Sequence, residues 1–210
     1  MKFTLVAFVV LIVTNLITSD EPQGKIVCFG DSITFGALVE GSGWVDQLAR
    51  MSDKINVINA GRKGRKTSDI DELPPVIDAN KDADYFLIFL GVNDLKDGND
   101  SLVNRCIDNM HAMIDMVSAG IEEDVRIILI APCGISFETM SDLNKGKKYN
   151  ENTAESLIKL EAEYKALAEL KQTGFITLLN VVSPENYIDG VHPTMEGHKQ
   201  ISEKMWEYLN

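Results

Sequence analysis

Two kinds of hydrophobic segment alternate along the chain, and this alternation constrains the fold more than any other feature. Short apolar runs rich in β-branched and aromatic residues read as buried strands: Ile26–Phe29, Ile55–Ile58, Tyr85–Leu90, Val125–Ala131 and Phe175–Val182. Between them lie stretches with helical spacing. Trp44–Met51 is the first, and a weaker one runs from Ser68 to Ala79, broken by Pro74-Pro75. The clearest carries Val103, Cys106, Ile107, Met110, Ile114 and Val117 on one face. Another carries Leu157, Leu160, Tyr164 and Leu167 and stops at Gly174, and the last carries Ile201, Met205 and Leu209. Five strand–helix alternations predict an α/β domain, with parallel strands joined by right-handed crossovers and helices on both faces. No repeat, low-complexity tract or linker divides the sequence, so a single domain is expected over residues 20–210.

Residues 1–19 stand apart from that pattern. One cation, Lys2, precedes an apolar run from Phe3 to Val13, and smaller, more polar residues follow up to Ser19. This layout predicts a secretory signal peptide cut after Ser19, and therefore an exported protein, periplasmic or extracellular. The alternative is a retained N-terminal tether to the membrane, since no Ala-x-Ala site is present. The 20 basic and 32 acidic residues give a net charge of −12. Such a balance argues against duplex nucleic acid or an anionic membrane as partner, because both reward clustered Lys and Arg. Cys28, Cys106 and Cys133 are scattered and form no Cys-x-x-Cys pair. Oligomeric state is not fixed by anything in the sequence.

In a parallel sheet, ligands bind beyond the carboxyl ends of the strands, so chemistry is sought just after each predicted strand. The first is followed by Gly30-Asp31-Ser32-Ile33-Thr34-Phe35-Gly36. A Ser leaving a strand at a Gly-flanked turn is placed as an exposed nucleophile. The pattern is neither a Gly-x-Ser-x-Gly elbow nor a phosphate-binding loop. A Ser hydroxyl needs an adjacent base, and the base needs a carboxylate to hold its tautomer. Asp189-Gly190-Val191-His192-Pro193 offers both on one tight loop. Of the three His, His111 and His198 fall on predicted helices and read as scaffold, leaving His192. Two other strand ends offer oxyanion donors: the backbone N–H of Gly61 in Asn59-Ala60-Gly61, and the amide of Asn93 in Gly91-Val92-Asn93-Asp94.

Gly30-Asp31-Ser32, Gly61, Gly91-x-Asn93-Asp94 and Asp189-x-x-His192, in that order, resemble the four blocks of the SGNH/GDSL hydrolase family. The likeness runs from Lys25 to the terminal helix. It implies a flavodoxin-like three-layer α/β/α sandwich whose five-stranded parallel sheet has the order 2-1-3-4-5. It implies a serine esterase in which Ser32 is the nucleophile, His192 the base and Asp189 its orienter. Ser32, Gly61 and Asn93 then form the oxyanion hole, Asp94 organises its loop, and no metal or organic cofactor takes part.

Two features bear on substrate choice. Arg62-Lys63-Gly64-Arg65-Lys66 places four cations in five residues beside Gly61. This is either a solvated loop or a means of selecting an anionic ester through Arg65 and Lys66. Cys133–Asn150 is long for a connection and reads as a lid or substrate wall, or as a loop holding an extra short helix with no direct role. Small size and export suit a short-acyl esterase acting on acetylated carbohydrates or aryl esters. The segment from Asn59 to Ile70 and the Ala131-Pro132 exit are similar to arylesterase-like members of the family. A lysophospholipase or thioesterase is the alternative within the class, and a non-catalytic glycan-binding module on the same scaffold the alternative outside it.

Overall fold

The computed structural model describes residues 22–121 and 124–210. The signal peptide expected at residues 1–19 falls outside them. Five parallel strands form one sheet of order β2-β1-β3-β4-β5: β1 Gly24–Gly30, β2 Ile55–Gly61, β3 Tyr85–Phe89, β4 Arg126–Ala131 and β5 Gly174–Thr177. The central β3 is buried along its whole length, as a strand covered on both faces must be.

Alternate residues of the strands feed two separate cores. Ile26, Cys28, Leu87, Phe89, Ile128 and Ile130 pack with Trp44 and Leu48 of helix α2 (Trp44–Ala49) and with Ile201 and Met205 of α7 (Met195–Leu209). Val27, Phe29, Phe86, Ile88 and Leu129 face the other way. They pack against α3 (Leu73–Asp78), α4 (Asp100–Gly120) and α6 (Glu151–Lys171). The result is the three-layer α/β/α sandwich with the strand order expected from the sequence.

Two local readings change, and one alternative is decided. Pro74 and Pro75 do not break a helix; they occupy the first turn of α3, where a missing N–H costs nothing, after a short 3-10 turn at Ile70–Glu72. The fifth strand ends at Thr177, not Val182. Leu178 and Val182 are buried all the same, in a turn closed by the Val181 N–H on the Leu178 carbonyl at 3.1 Å. Within Cys133–Asn150 lies a short helix, α5 (Asp142–Gly146), capped by the Ser141 side chain.

Candidate active site

Register sets the floor of the site. Gly30 pairs with Gly61 on one side and with Phe89 on the other, so β1, β2 and β3 end level. Ser32 therefore emerges beside the segments that follow β2 and β3. It opens a four-residue helix, α1 (Ser32–Phe35), capped by the Asp31 carboxylate on the Ile33 N–H at 2.9 Å. Left-handed Gly36 closes that helix.

From the far end of the sheet, the chain returns to place His192 against Ser32. The Ser32 Oγ to His192 Nε2 distance is 2.9 Å, and His192 Nδ1 lies 2.9 and 3.1 Å from the two carboxylate oxygens of Asp189. Asp189 also accepts the backbone N–H groups of Val191 at 3.1 Å and His192 at 2.9 Å. Burial alone would raise its pKa. The bonds from the His192 ring and from these N–H groups, with the imidazole charge, hold it well below the usual carboxylate range. An ionised Asp189 only accepts, so the His192 proton sits on Nδ1 and Nε2 is free to take the Ser32 proton.

The base of this loop is pinned by the Tyr187–Pro193 bridge and by the Ile188 N–H on the His192 carbonyl at 2.8 Å. Its outer side is held from Cys133–Asn150. Ser136 N–H donates to Gly190 O at 2.8 Å, and Ser141 N–H and Asn144 Nδ2 donate to Asp189 O at 3.2 and 3.0 Å. The long connection thus braces the His192 loop.

Asn93 enters from the end of β3. Its Nδ2 donates to Asp31 Oδ2 and to the Arg65 carbonyl, each at 3.2 Å, while its Oδ1 accepts the Tyr149 hydroxyl at 3.0 Å. Asp31 is wholly buried. Desolvation pushes its carboxyl up to about 6, against the Ile33 N–H and the charge of His192, which pull it down.

This geometry coincides with a match to the family model for GDSL-like lipase/acylhydrolase over residues 26–205. The chain belongs to the GDSL-like lipase/acylhydrolase family. It is therefore a carboxylic ester hydrolase by family. Solved structures share the fold at low identity. A carbohydrate acetylesterase family member from Sinorhizobium meliloti superposes with a TM-score of 0.77 at 20% identity, covering 89% of this chain and 97% of that one. The Mycobacterium smegmatis (M. smegmatis) aryl esterase gives 0.73 at 20%, covering 89% and 98%. A catalytic mutant of an acetylxylan esterase from Geobacillus stearothermophilus gives 0.68 at 19%, covering 89% and 94%. A search of curated protein sequences finds no match.

Two sequence expectations for this GDSL-like hydrolase need correction. The Gly61 N–H is not free for a substrate; it donates to Asn59 Oδ1 at 2.9 Å. A glycine is needed there because a Cβ would stand 2.3 Å from the Phe35 nitrogen. The uncommitted N–H is three residues on, at Gly64. That residue is exposed, sits at φ +76°, and donates no hydrogen bond among the described residues. A turn glycine followed by a polar run carries no signal that separates the two positions.

Arg65 is the second correction. Its side chain is buried and faces the protein. It donates to the carbonyls of Gly30 and Ala60, both at 2.6 Å, and to Glu72 at 2.9 Å, with the guanidinium 4.0 Å over the Phe29 ring. Arg62 is taken up by Asp69 and Glu72 at 2.5 and 2.6 Å. Burial would raise Glu72, yet the bonds from Arg65 and Arg62 hold it below its ordinary value. Of the four cations, Lys63 and Lys66 remain outside ion pairs among the described residues, with Lys63 lying over the Phe35 ring at 5.0 Å.

The remaining titratable groups lie elsewhere. His111 is on the outer face of α4 beside Asp115, and His198 is buried with its Nδ1 accepting the Trp44 N–H at 3.1 Å. All three cysteines are buried free thiols. Among the described residues, no group of three or more His, Cys, Asp or Glu is placed to hold a metal ion.

Proposed function

We propose that this GDSL-like hydrolase cleaves short-acyl carboxylic esters, acetyl esters of carbohydrates or aryl alcohols, through an acyl-Ser32 intermediate. The single observation carrying this reading is the unbroken contact chain from Ser32 through His192 to Asp189. His192 Nε2 takes the hydroxyl proton as Ser32 Oγ attacks the ester carbonyl. Asp189 holds the imidazole and stabilises the imidazolium. The tetrahedral oxyanion is met by the N–H groups of Ser32 and Gly64 and by Asn93 Nδ2, which exchanges one of its 3.2 Å contacts for it. His192 returns its proton to the departing alcohol, and water clears the acyl group by the same steps.

Beside α1 lies an open cleft of about 730 Å³ lined by Phe35, Leu38, Asp46, Asn59 and Lys63, which adjoins the nucleophile's helix but is lined by none of Ser32, Asn93, Asp189 and His192. No helix among the described residues is long and apolar enough to cross a membrane. Export through the segment at residues 1–19 belongs to the same proposal.

Labelling by a fluorophosphonate probe, abolished in Ser32→Ala, tests the nucleophile. A nitrophenyl ester series from acetate to palmitate tests the acyl preference, and kcat/KM is expected to fall beyond butyrate. A maximum at long chains would replace this reading with a lysophospholipase or thioesterase. Failure of the folded protein to label would replace it with a binding module.

A further inference from the structure

Lys66, left over with Lys63 from the Arg62–Lys66 segment, joins two other cations. The chain segments carrying them are stitched together by hydrogen bonds. Residues 65–67 are tied to 93–94, through Asn93 Nδ2 on the Arg65 carbonyl and through the Thr67 N–H and hydroxyl on Asp94. Residue 97 is tied to 148, through the Asp97 N–H on the Lys148 carbonyl at 2.7 Å. Lys66, Lys96 and Lys147 consequently stand on the segments that meet around Asn93, with Lys66 and Lys147 exposed. Lys96 Nζ stands 5.3 Å over the ring of Tyr149, whose hydroxyl holds the Asn93 amide.

None of these three ammonium groups makes an ion pair among the described residues, although the protein carries an excess of 12 negative charges. The nearby carboxylates are engaged by other groups. Asp94 accepts from Thr67, Asp69 from Arg62 and the Lys66 N–H, and Asp97 from Asn150, Asn152 and Lys148. Lys96 is partly buried, which lowers its pKa, and the Lys66 and Lys147 charges lower it further, against the pull of Asp94. The three ammonium groups repel one another and none is held in a direct ion pair, which favours an anion that enters among them.

Resting on the esterase reading above, we infer that Lys66, Lys96 and Lys147 form an anion subsite beside the oxyanion wall, and that the preferred ester carries a carboxylate or phosphate. The anionic group can lie on the alcohol side, as in an acylated sugar acid, or on the acyl side, as in a dicarboxylic half-ester. Its oxygens take charge-assisted hydrogen bonds from the three ammonium groups while the ester carbonyl faces Ser32.

Two matched probe pairs separate the sources. On the alcohol side they are 3-acetoxybenzoate and its methyl ester; on the acyl side, 4-nitrophenyl hemisuccinate and 4-nitrophenyl methyl succinate. For one pair, kcat/KM for the anionic member should exceed that for the neutral member by about tenfold at low ionic strength, and shrink toward unity near 0.5 M NaCl. Lys66→Gln and Lys96→Gln should each cut that ratio by about three- to fivefold, chiefly through KM, and the triple Gln variant should abolish it. Lys204→Gln, on the far end of α7, serves as the charge-matched control and should leave the ratio as it was. Ratios near unity for both pairs in the wild type overturn the inference, as does a triple variant that keeps the preference. Loss of Ser32 labelling together with no turnover of either pair would instead overturn the esterase reading itself.

Discussion

The Tyr149 hydroxyl donates to Asn93 Oδ1 at 3.0 Å, which fixes which end of that amide faces Asp31 and the Arg65 carbonyl. Both groups that accept from Asn93 Nδ2, a carboxylate and a backbone carbonyl, are acceptors, so the orientation is determined on three sides. Tyr149→Phe should lower kcat by about three- to tenfold with little change in KM, the effect of one neutral hydrogen bond on a positioned donor. Asn93→Ala should cost about two to three orders of magnitude. If the Tyr149 hydroxyl acts through Asn93, adding Tyr149→Phe to Asn93→Ala should cost almost nothing more. A full additive loss of kcat in the double variant would refute the coupling.

Asp31 and His198 should pull stability in opposite directions over nearly the same pH range. Burial raises Asp31 from 3.8 to about 6, so the folded state binds the extra proton and stability falls as pH rises from about 4 to 6. Burial lowers His198 from 6.5 to about 4, with the His192 charge adding to it, so the folded state refuses the proton and stability falls as pH drops from about 6.5 to 4. Relative to wild type, Asp31→Asn should therefore gain stability, by up to about 3 kcal/mol, between pH 4 and 7. His198→Gln should gain by a similar amount, about 3 kcal/mol, as pH falls from 7 to 4. Urea midpoints measured at unit pH steps would show the two slopes. Parallel curves for a variant and wild type would rule out its assignment.

Arg65 is a structural cation. Arg65→Gln leaves the Gly30 and Ala60 carbonyls without their guanidinium donor in a buried setting and should cost about 3 kcal/mol. Arg65→Lys should recover only part of this, because a single ammonium cannot span both carbonyls and Glu72. Lys63→Gln should stay within about 0.5 kcal/mol of wild type. Chemical denaturation at neutral pH checks all three.

Gly61 and Gly64 should fail differently when changed to Ala. At Gly61 the new Cβ would meet the Phe35 backbone at 2.3 Å, so stability should drop by at least about 2 kcal/mol. At Gly64 nothing lies within 4 Å of a Cβ, but φ is +76°, so the cost to folding should be about 1 kcal/mol. Moving the Gly64 N–H should nevertheless lower kcat about tenfold or more. Equal kcat for Gly64→Ala and wild type would remove Gly64 from the oxyanion site.

The sheet was legible in the sequence because fully buried parallel strands read as unbroken apolar runs, as Tyr85–Phe89 does. The same signal overran at the fifth strand, since Leu178 and Val182 are buried without belonging to the sheet. Ser32, Asp189 and His192 could be found because each stands within a local signature at a predicted strand end. Arg65 could not be read from its neighbours. Lys66 and Arg65 are adjacent in sequence, and only the tertiary path of Gly30 and Ala60 turns one inward and leaves the other exposed. Tyr149 carried no signal at all, because its partner lies 56 residues away.

Asp189 and His192 are three residues apart and share one hydrogen-bonded loop, whereas Ser32 lies 160 residues from His192. The acid–base pair is thus held together by chain connectivity, and a single 2.9 Å gap depends on how the His192 loop is held against the end of β1. Mild heat or denaturant that loosens the bracing from Ser136, Ser141 and Asn144 would widen that gap while every strand and helix persists. Activity should fade before the circular dichroism changes, and it should return in full on cooling.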